Sequence, residues 1–267
     1  MLTKRLHTFK KMWITKHSPI SVISIRPERW NLICKDITDR KMSLQGIQLF
    51  HGTNGQALDK KRWQISKRIT DHSYKTMTRG QIACFDSHKR VWKHIVASGL
   101  PYACVAEDDM RLYKTFEQEE FCNDIKTQID KYVPDFELLF LQYCTFFKGP
   151  IQKWFGPATD VEALKDAKGS ANGAERSKAD KDLKGAENPK VAKIPQLYRG
   201  SKCQCMYLYV ITLDACKKLL SLSNVINEPV DMFISKLADR NYLNTVNISP
   251  QMDPTFVPKN SDTEGIK

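Results

Sequence analysis

Short apolar runs alternate along the chain with longer stretches of helical period. Ser21–Ile25 (SVISI) is β-rich and ends at Arg26-Pro27, where proline can open a helix. Ile47–Phe50 reads as a second strand, closed by the turn signal His51-Gly52-Thr53-Asn54-Gly55. From Thr78 to Ser98 the apolar positions Ile82, Phe85, Val91, Trp92, Ile95 and Val96 recur at helical spacing. Gly99 stops that helix and Pro101 prevents its return. Tyr102–Ala106 (YACVA) predicts a buried strand running straight into Glu107-Asp108-Asp109. Phe136–Tyr143 (FELLFLQY) and Met206–Thr212 (MYLYVIT) predict further strands, with a helix over Ala215–Leu222 after the second. Apolar strands separated by helices predict an α/β chain, one domain with a mostly parallel central sheet flanked by helices.

Two segments stand outside this pattern. Residues 1–18 form a basic N-terminal segment carrying Lys4, Arg5, Lys10, Lys11 and Lys16, with no acid. No apolar core of ~7–15 residues follows those charges, so they do not read as a secretory signal. Nor does any run approach the ~18 apolar residues of a membrane helix, and a cytoplasmic protein is expected. Residues 156–195 contain no aromatic residue, and their large apolar groups are only Val161, Leu164, Leu183, Val191 and Ile194. Such a stretch cannot bury enough surface to offset its ordering entropy, so a disordered insertion is expected within a domain spanning 19–267.

Composition narrows the class. Of the 267 residues, 41% are hydrophobic and 27% charged, which excludes wholesale disorder and fibrous repeats. The eight cysteines are scattered, without a CxxC pair, and read as reduced thiols rather than a disulfide framework or a structural zinc site. The formal charge of +12 suggests an anionic partner, whether a glycan, a membrane surface or a nucleic acid. The span 59–94 holds six Lys and four Arg against three Asp. It lacks zinc-finger spacing or RNP-like aromatics, so a nucleic-acid partner is not expected.

The candidate chemistry begins at Glu107-Asp108-Asp109. In a parallel sheet, ligands occupy the crevice outside the carboxyl ends of the strands. Three carboxylates placed there repel one another unless a cation joins them, and all-oxygen ligands favour Mg²⁺ or Mn²⁺. Alternatively, the triplet simply starts a loop. If the strand continues, residues 107 and 109 face one way and 108 the other.

The flanking residues carry a resemblance. Ala83-Cys84-Phe85-Asp86-Ser87-His88-Lys89-Arg90-Val91-Trp92, then Gly99-Leu100-Pro101-Tyr102, then Glu107-Asp108-Asp109-Met110, resembles the signature of the family 25 glycosyltransferases. That family includes bacterial lipooligosaccharide galactosyltransferases and the collagen galactosyltransferase domain. Val22-Ile23-Ser24-Ile25 with Glu28-Arg29 is similar to the family's first strand and arginine. Leu208–Ala215, Pro229-Val230-Asp231-Met232 and Ser249-Pro250-Gln251 resemble its later elements, in the same order.

The resemblance implies a GT-A-like fold, a UDP-sugar donor (usually UDP-galactose), a glycan or glycoconjugate acceptor, Mn²⁺ (or Mg²⁺), and inversion at the anomeric carbon. Asp109 is then the expected direct metal ligand with Glu107 assisting. Asp108 reaches the ribose or sugar, or else caps the next segment. All six histidines lie at or before His94, so Asp253, a diphosphate oxygen or water must complete the metal's shell. Asp231 is the expected base for the acceptor hydroxyl, or else a helix N-cap. Ser87 and His88 contact the nucleotide or the metal-side carboxylates, or His88 is a structural hydrogen-bond donor. Arg26 and Arg29 bind uracil or phosphate, or form a surface pair with Glu28. The competing function is a catalytically inactive carbohydrate-binding relative.

Overall fold

A computed structural model describes residues 20–39, 46–110, 119–144, 196–199 and 204–249. The N-terminal basic segment, the 156–195 insertion, Asp253 and Asp262 lie outside these residues. The described chain runs β1 (Ile20–Ser24), α1 (Pro27–Asp39), β2 (Ile47–His51), α2 (Lys60–Ile65), α3 (Asp71–Thr76), α4 (Arg79–Ser98) and β3 (Tyr102–Glu107). It continues with α5 (Glu119–Tyr132), β4 (Leu138–Cys144), β5 (Gln196–Arg199), β6 (Gln204–Thr212), α6 (Leu213–Leu222), α7 (Val230–Asp239) and β7 (Thr245–Ser249).

The seven strands form one mixed sheet in the order β2-β1-β3-β6-β4-β7-β5. The β2-β1-β3 half is parallel, as is β4 with β7. β6 runs antiparallel between β3 and β4, and β5 closes the far edge antiparallel to β7. The expected α/β domain with flanking helices is therefore present, and its parallel portion is the part that carries the acidic triplet. Strand alternation divides the core into two apolar layers. Ala103, Val105, Tyr209 and Ile211 join α4, α6 and α7 on one face. Cys104, Ala106, Leu208 and Val210 join Ile33 and Ile37 of α1 and Ile125 and Ile129 of α5 on the other.

Helix α4 carries the largest share of the first layer, burying Ile82, Phe85, Val91, Trp92 and Ile95. Its ends are fixed locally. Thr78 accepts from the Gln81 N–H while the Gln81 side chain accepts from the Thr78 N–H, a reciprocal capping box. Gly99 ends the helix at φ 65°, the left-handed conformation that glycine adopts without a Cβ clash. Thr78→Ala should therefore lower the unfolding free energy by about 0.5–2 kcal/mol in denaturant titration, with the fold intact.

The cysteine expectation needs one correction. Among the described residues Cys34, Cys84, Cys104 and Cys216 are free, but Cys205 is disulfide-bonded. Scatter along the sequence says nothing about which thiols folding brings together. Among the described residues no helix is long and apolar enough to cross a membrane.

Candidate active site

Parallel pairing brings the carboxyl ends of β1, β2 and β3 to one side of the sheet. β1 and β3 are in register from Ile20 opposite Cys104 to Ile23 opposite Glu107, so Ser24 comes level with the start of the acidic turn. There a cleft of about 390 Å³ opens, lined by Ser24, Arg26, Arg29, Asn54, Cys84, Ser87, Glu107, Asp108 and Asp109 among others. Beside it, the β2 turn packs closely at Gly52. A Cβ there would lie 3.0 Å from Ile25 Cγ2 and 3.1 Å from Ser87 Oγ, so those side chains would have to give by a few tenths of an ångström.

The three carboxylates have three different environments. β3 ends at Glu107, and the Met110 N–H bonds the Glu107 carbonyl at 3.1 Å, turning the chain sharply. Glu107 faces α4, where it meets His88 Nε2 at 3.0 Å and accepts from Cys84 Sγ at 3.4 Å. Burial pushes its carboxyl up, but the hydrogen bonds from His88 and Cys84, with the charge of Arg29, outweigh that and hold it below the ordinary value. Asp108 faces the other way. It accepts from Ser24 Oγ at 2.6 Å and from Arg29 Nη1 at 2.9 Å, a pair whose side chains are 10% and 14% exposed. The strand does not continue past Glu107, so it is the turn, not strand alternation, that sets 107 and 108 on different sides. Arg29 thus pairs with Asp108 across 79 residues. Both Asp108 oxygens are engaged with β1 and α1.

Asp109 differs from both. Its Oδ1 is buried without a hydrogen-bond partner among the described residues. Burial, then the charges of Glu107 and Asp108, push its carboxyl well above the ordinary 3.8, with Arg29 opposing only in part. Asp109 and Glu107 offer carboxylate oxygens beside one another, a set that fits a hard divalent ion, which would supply a counter-charge there. Tyr207 of β6 faces the same group, and burial, Asp109 and Glu107 raise its phenol to about 12.

Behind Glu107, His88 is fully buried. Its Nδ1 lies 2.8 Å from the Tyr209 hydroxyl, which accepts from Trp92 Nε1 at 3.1 Å. One proton arrangement satisfies every member. Trp92 donates to Tyr209, Tyr209 to His88 Nδ1, and His88 Nε2–H to Glu107. Tyr209→Phe would leave a buried indole N–H and an imidazole nitrogen unpaired. A loss of about 1–3 kcal/mol for each group is expected in chemical denaturation.

Ser87 anchors the opposite wall, donating to the Ala83 carbonyl at 2.7 Å and accepting from the Thr53 N–H at 2.8 Å. Thr53 Oγ1 in turn donates to Asp86 at 2.6 Å, which also accepts from Arg68 at 3.1 Å. Asp231 sits in the first turn of α7, and its charge reaches Cys84 strongly enough to help raise that thiol, after burial and Glu107. The N-cap of α7 is Pro229, so the capping alternative for Asp231 does not hold; its carboxylate accepts from the adjacent Met232 N–H at 2.9 Å. The cleft thus gathers Arg26, Arg29, Ser87, Glu107, Asp108 and Asp109, with His88 behind and Asp231 near Cys84. Tyr207 and Tyr209 were not among the predicted site residues. Their alternation within an apolar strand gives the core, not the site, as its sequence signal.

The chain is similar to known proteins. The profile of glycosyltransferase family 25 (LPS biosynthesis protein) matches residues 17–234. Procollagen galactosyltransferase 2 of Mus musculus is 26% identical over 119 residues, 43% of this chain and 19% of that protein. The inactive glycosyltransferase 25 family member 3 of Homo sapiens is 36% identical over 102 residues, 36% of this chain and 17% of that protein. The lipooligosaccharide biosynthesis protein lic2B of Haemophilus influenzae is 32% identical over 77 residues, 27% of this chain and 29% of that protein. The matched segment spans less than a third of each of these relatives. Because the profile covers most of the chain, including β1, α4, β3 and the acidic turn, the protein belongs to glycosyltransferase family 25.

Proposed function

We propose that the protein is a metal-dependent, inverting glycosyltransferase that moves a sugar, galactose, from a UDP-sugar to a glycan or glycoconjugate acceptor. The observation carrying this reading is the buried Asp109 oxygen, without a partner among the described residues, beside Glu107 in a cleft where strands end. Galactose is favoured by the name of the procollagen galactosyltransferase, and a glycan acceptor by that of the lipooligosaccharide protein.

Asp109 and Glu107 would hold Mn²⁺ or Mg²⁺, which when bound supplies Lewis-acid neutralisation of the departing diphosphate. Arg29 holds Asp108 and so fixes the acidic turn, while Arg26 lines the cleft on the donor side. Ser87 seats the Thr53 turn that forms the cleft wall. His88 orients Glu107 rather than touching the donor, being buried behind it. Asp231 takes the proton of the acceptor hydroxyl as the new bond forms, the task a positioned carboxylate performs in inverting transfer.

A second reading has its own support, since a relative at 36% identity is named inactive. Mass-detected transfer or hydrolysis of UDP-galactose, with Mn²⁺ and then with excess chelator, separates the two. Turnover that chelator removes is expected. Donor binding without turnover across a nucleotide-sugar panel would favour the inactive relative.

A further inference from the structure

We propose that Cys84, His88 and Glu107 form a second kind of metal site, one for a thiophilic divalent ion such as Zn²⁺, whose occupation blocks transfer. The site goes beyond the hard-ion assignment at Asp109. Zinc binding does not depend on that assignment, whereas the block of transfer rests on the proposed function through the shared Glu107. Cys84 and His88 stand one turn apart on α4, and Glu107 meets them from the end of β3. The three donor atoms all lie within 4.8 Å of one another.

The spacings suit zinc. Tetrahedral geometry with ordinary Zn–S, Zn–N and Zn–O lengths needs sulfur and oxygen about 3.6 Å apart, and nitrogen and oxygen about 3.4 Å apart. Cys84 Sγ is 3.4 Å from Glu107 Oε1, and His88 Nε2 is 3.0 Å from the same oxygen. Spreading each contact by a few tenths of an ångström would admit the ion. Cys84 and Glu107 both line the cleft, which leaves its fourth position for water or an incoming ligand. A thiolate, an imidazole and one carboxylate form a softer set than the oxygens of Asp109, and select Zn²⁺ over Mg²⁺.

Two surrounding features favour a cation there. His88 Nδ1 lies 2.8 Å from the Tyr209 hydroxyl, itself held by Trp92, so the ring is fixed with Nε2 towards Glu107. The unpartnered Asp109 oxygen and the charge of Asp231 both lie near the thiol, while the side chain of Arg29 is paired with Asp108. On binding, the Cys84 thiol gives its proton to solvent. His88 binds as the Nδ1–H tautomer, its Nε2 proton passing to Nδ1 by way of solvent. The Tyr209 oxygen then accepts from both Nδ1 and Trp92 and turns its own proton away from the ring, and Nε2 gives its lone pair to the ion. Glu107 is then withdrawn from the donor side, so micromolar Zn²⁺ should inhibit an enzyme that Mn²⁺ supports.

The test uses the purified full chain without sugar substrates, so its outcome is separate from that of the transfer reading. Co²⁺ as a spectroscopic stand-in should give a thiolate-to-cobalt charge-transfer band at one equivalent. Cys84→Ser should abolish the band and weaken Zn²⁺ binding by more than about tenfold, whereas Cys34→Ser should leave both unchanged. Zn²⁺ should also protect Cys84 of the wild type from alkylation, mapped by mass spectrometry, which decides the matter if Cys84→Ser fails to fold. An undiminished band in folded Cys84→Ser, no band in the wild type, or alkylation of Cys84 at the same rate with and without Zn²⁺ would each overturn the site.

Discussion

Asp109→Asn is expected to lower sugar transfer by about 10²–10³-fold, the several kcal/mol that Lewis-acid stabilisation supplies, while the protein stays folded. Saturating Mn²⁺ with UDP-galactose should raise the thermal midpoint of the wild type far more than that of the variant, because only the folded wild type holds the ion tightly. The metal-free protein gives a second readout. Its Asp109 carboxyl is held well above 3.8 by burial and by the neighbouring carboxylates. The folded chain then keeps a proton that the unfolded chain releases. Stability without metal therefore falls as pH climbs from about 4 through the raised value, and it does not recover above it. Asparagine carries no such proton, so Asp109→Asn should flatten that decline and leave the apo protein more stable near neutral pH. Full transfer in excess chelator, or a variant as active as the wild type, would remove the ion from Asp109.

Much of this site was legible because its signals are local. The apolar spacing from Ile82 to Val96 and the stop at Gly99 predict a helix over Thr78–Ser98, and α4 forms at Arg79–Ser98, its start held in addition by the Thr78–Gln81 capping box. The apolar run Tyr102–Ala106 places the acidic triplet at a strand end because a buried strand must finish where its polar residues begin. What sequence could not supply is whatever depends on partners far along the chain. Asp108 meets Ser24 across 84 residues and Arg29 across 79, and no local pattern foretells that clamp. Strand direction is similarly hidden. MYLYVIT is equally apolar run either way, and its antiparallel place between β3 and β4 follows from packing, not from hydropathy. The short strands β5, at the sheet edge, and β7, beside it, also escaped prediction, since four or five residues carry little periodicity.

Asp231→Asn should reduce transfer by roughly 10²–10⁴-fold while leaving donor and metal affinity unchanged, the signature of a base that acts on the acceptor alone. The helix itself makes the alternative sharp. Pro229 holds the N-cap of α7 without a side-chain bond, and Asp231 lies within the first turn, bonded to the Met232 N–H. A purely structural Asp231 would therefore contribute through its negative charge at the positive end of the helix, worth about 0.3–1 kcal/mol. Asparagine would forfeit that contribution and leave the rate untouched. The two roles predict opposite pairs of results: rate lost with stability nearly kept, or stability trimmed with rate kept. Measuring the unfolding midpoint and single-turnover transfer on the same preparation distinguishes them. If Asp231→Asn transfers at the wild-type rate, the proton goes elsewhere, and Asp253 and Asp262 are the next carboxylates to replace.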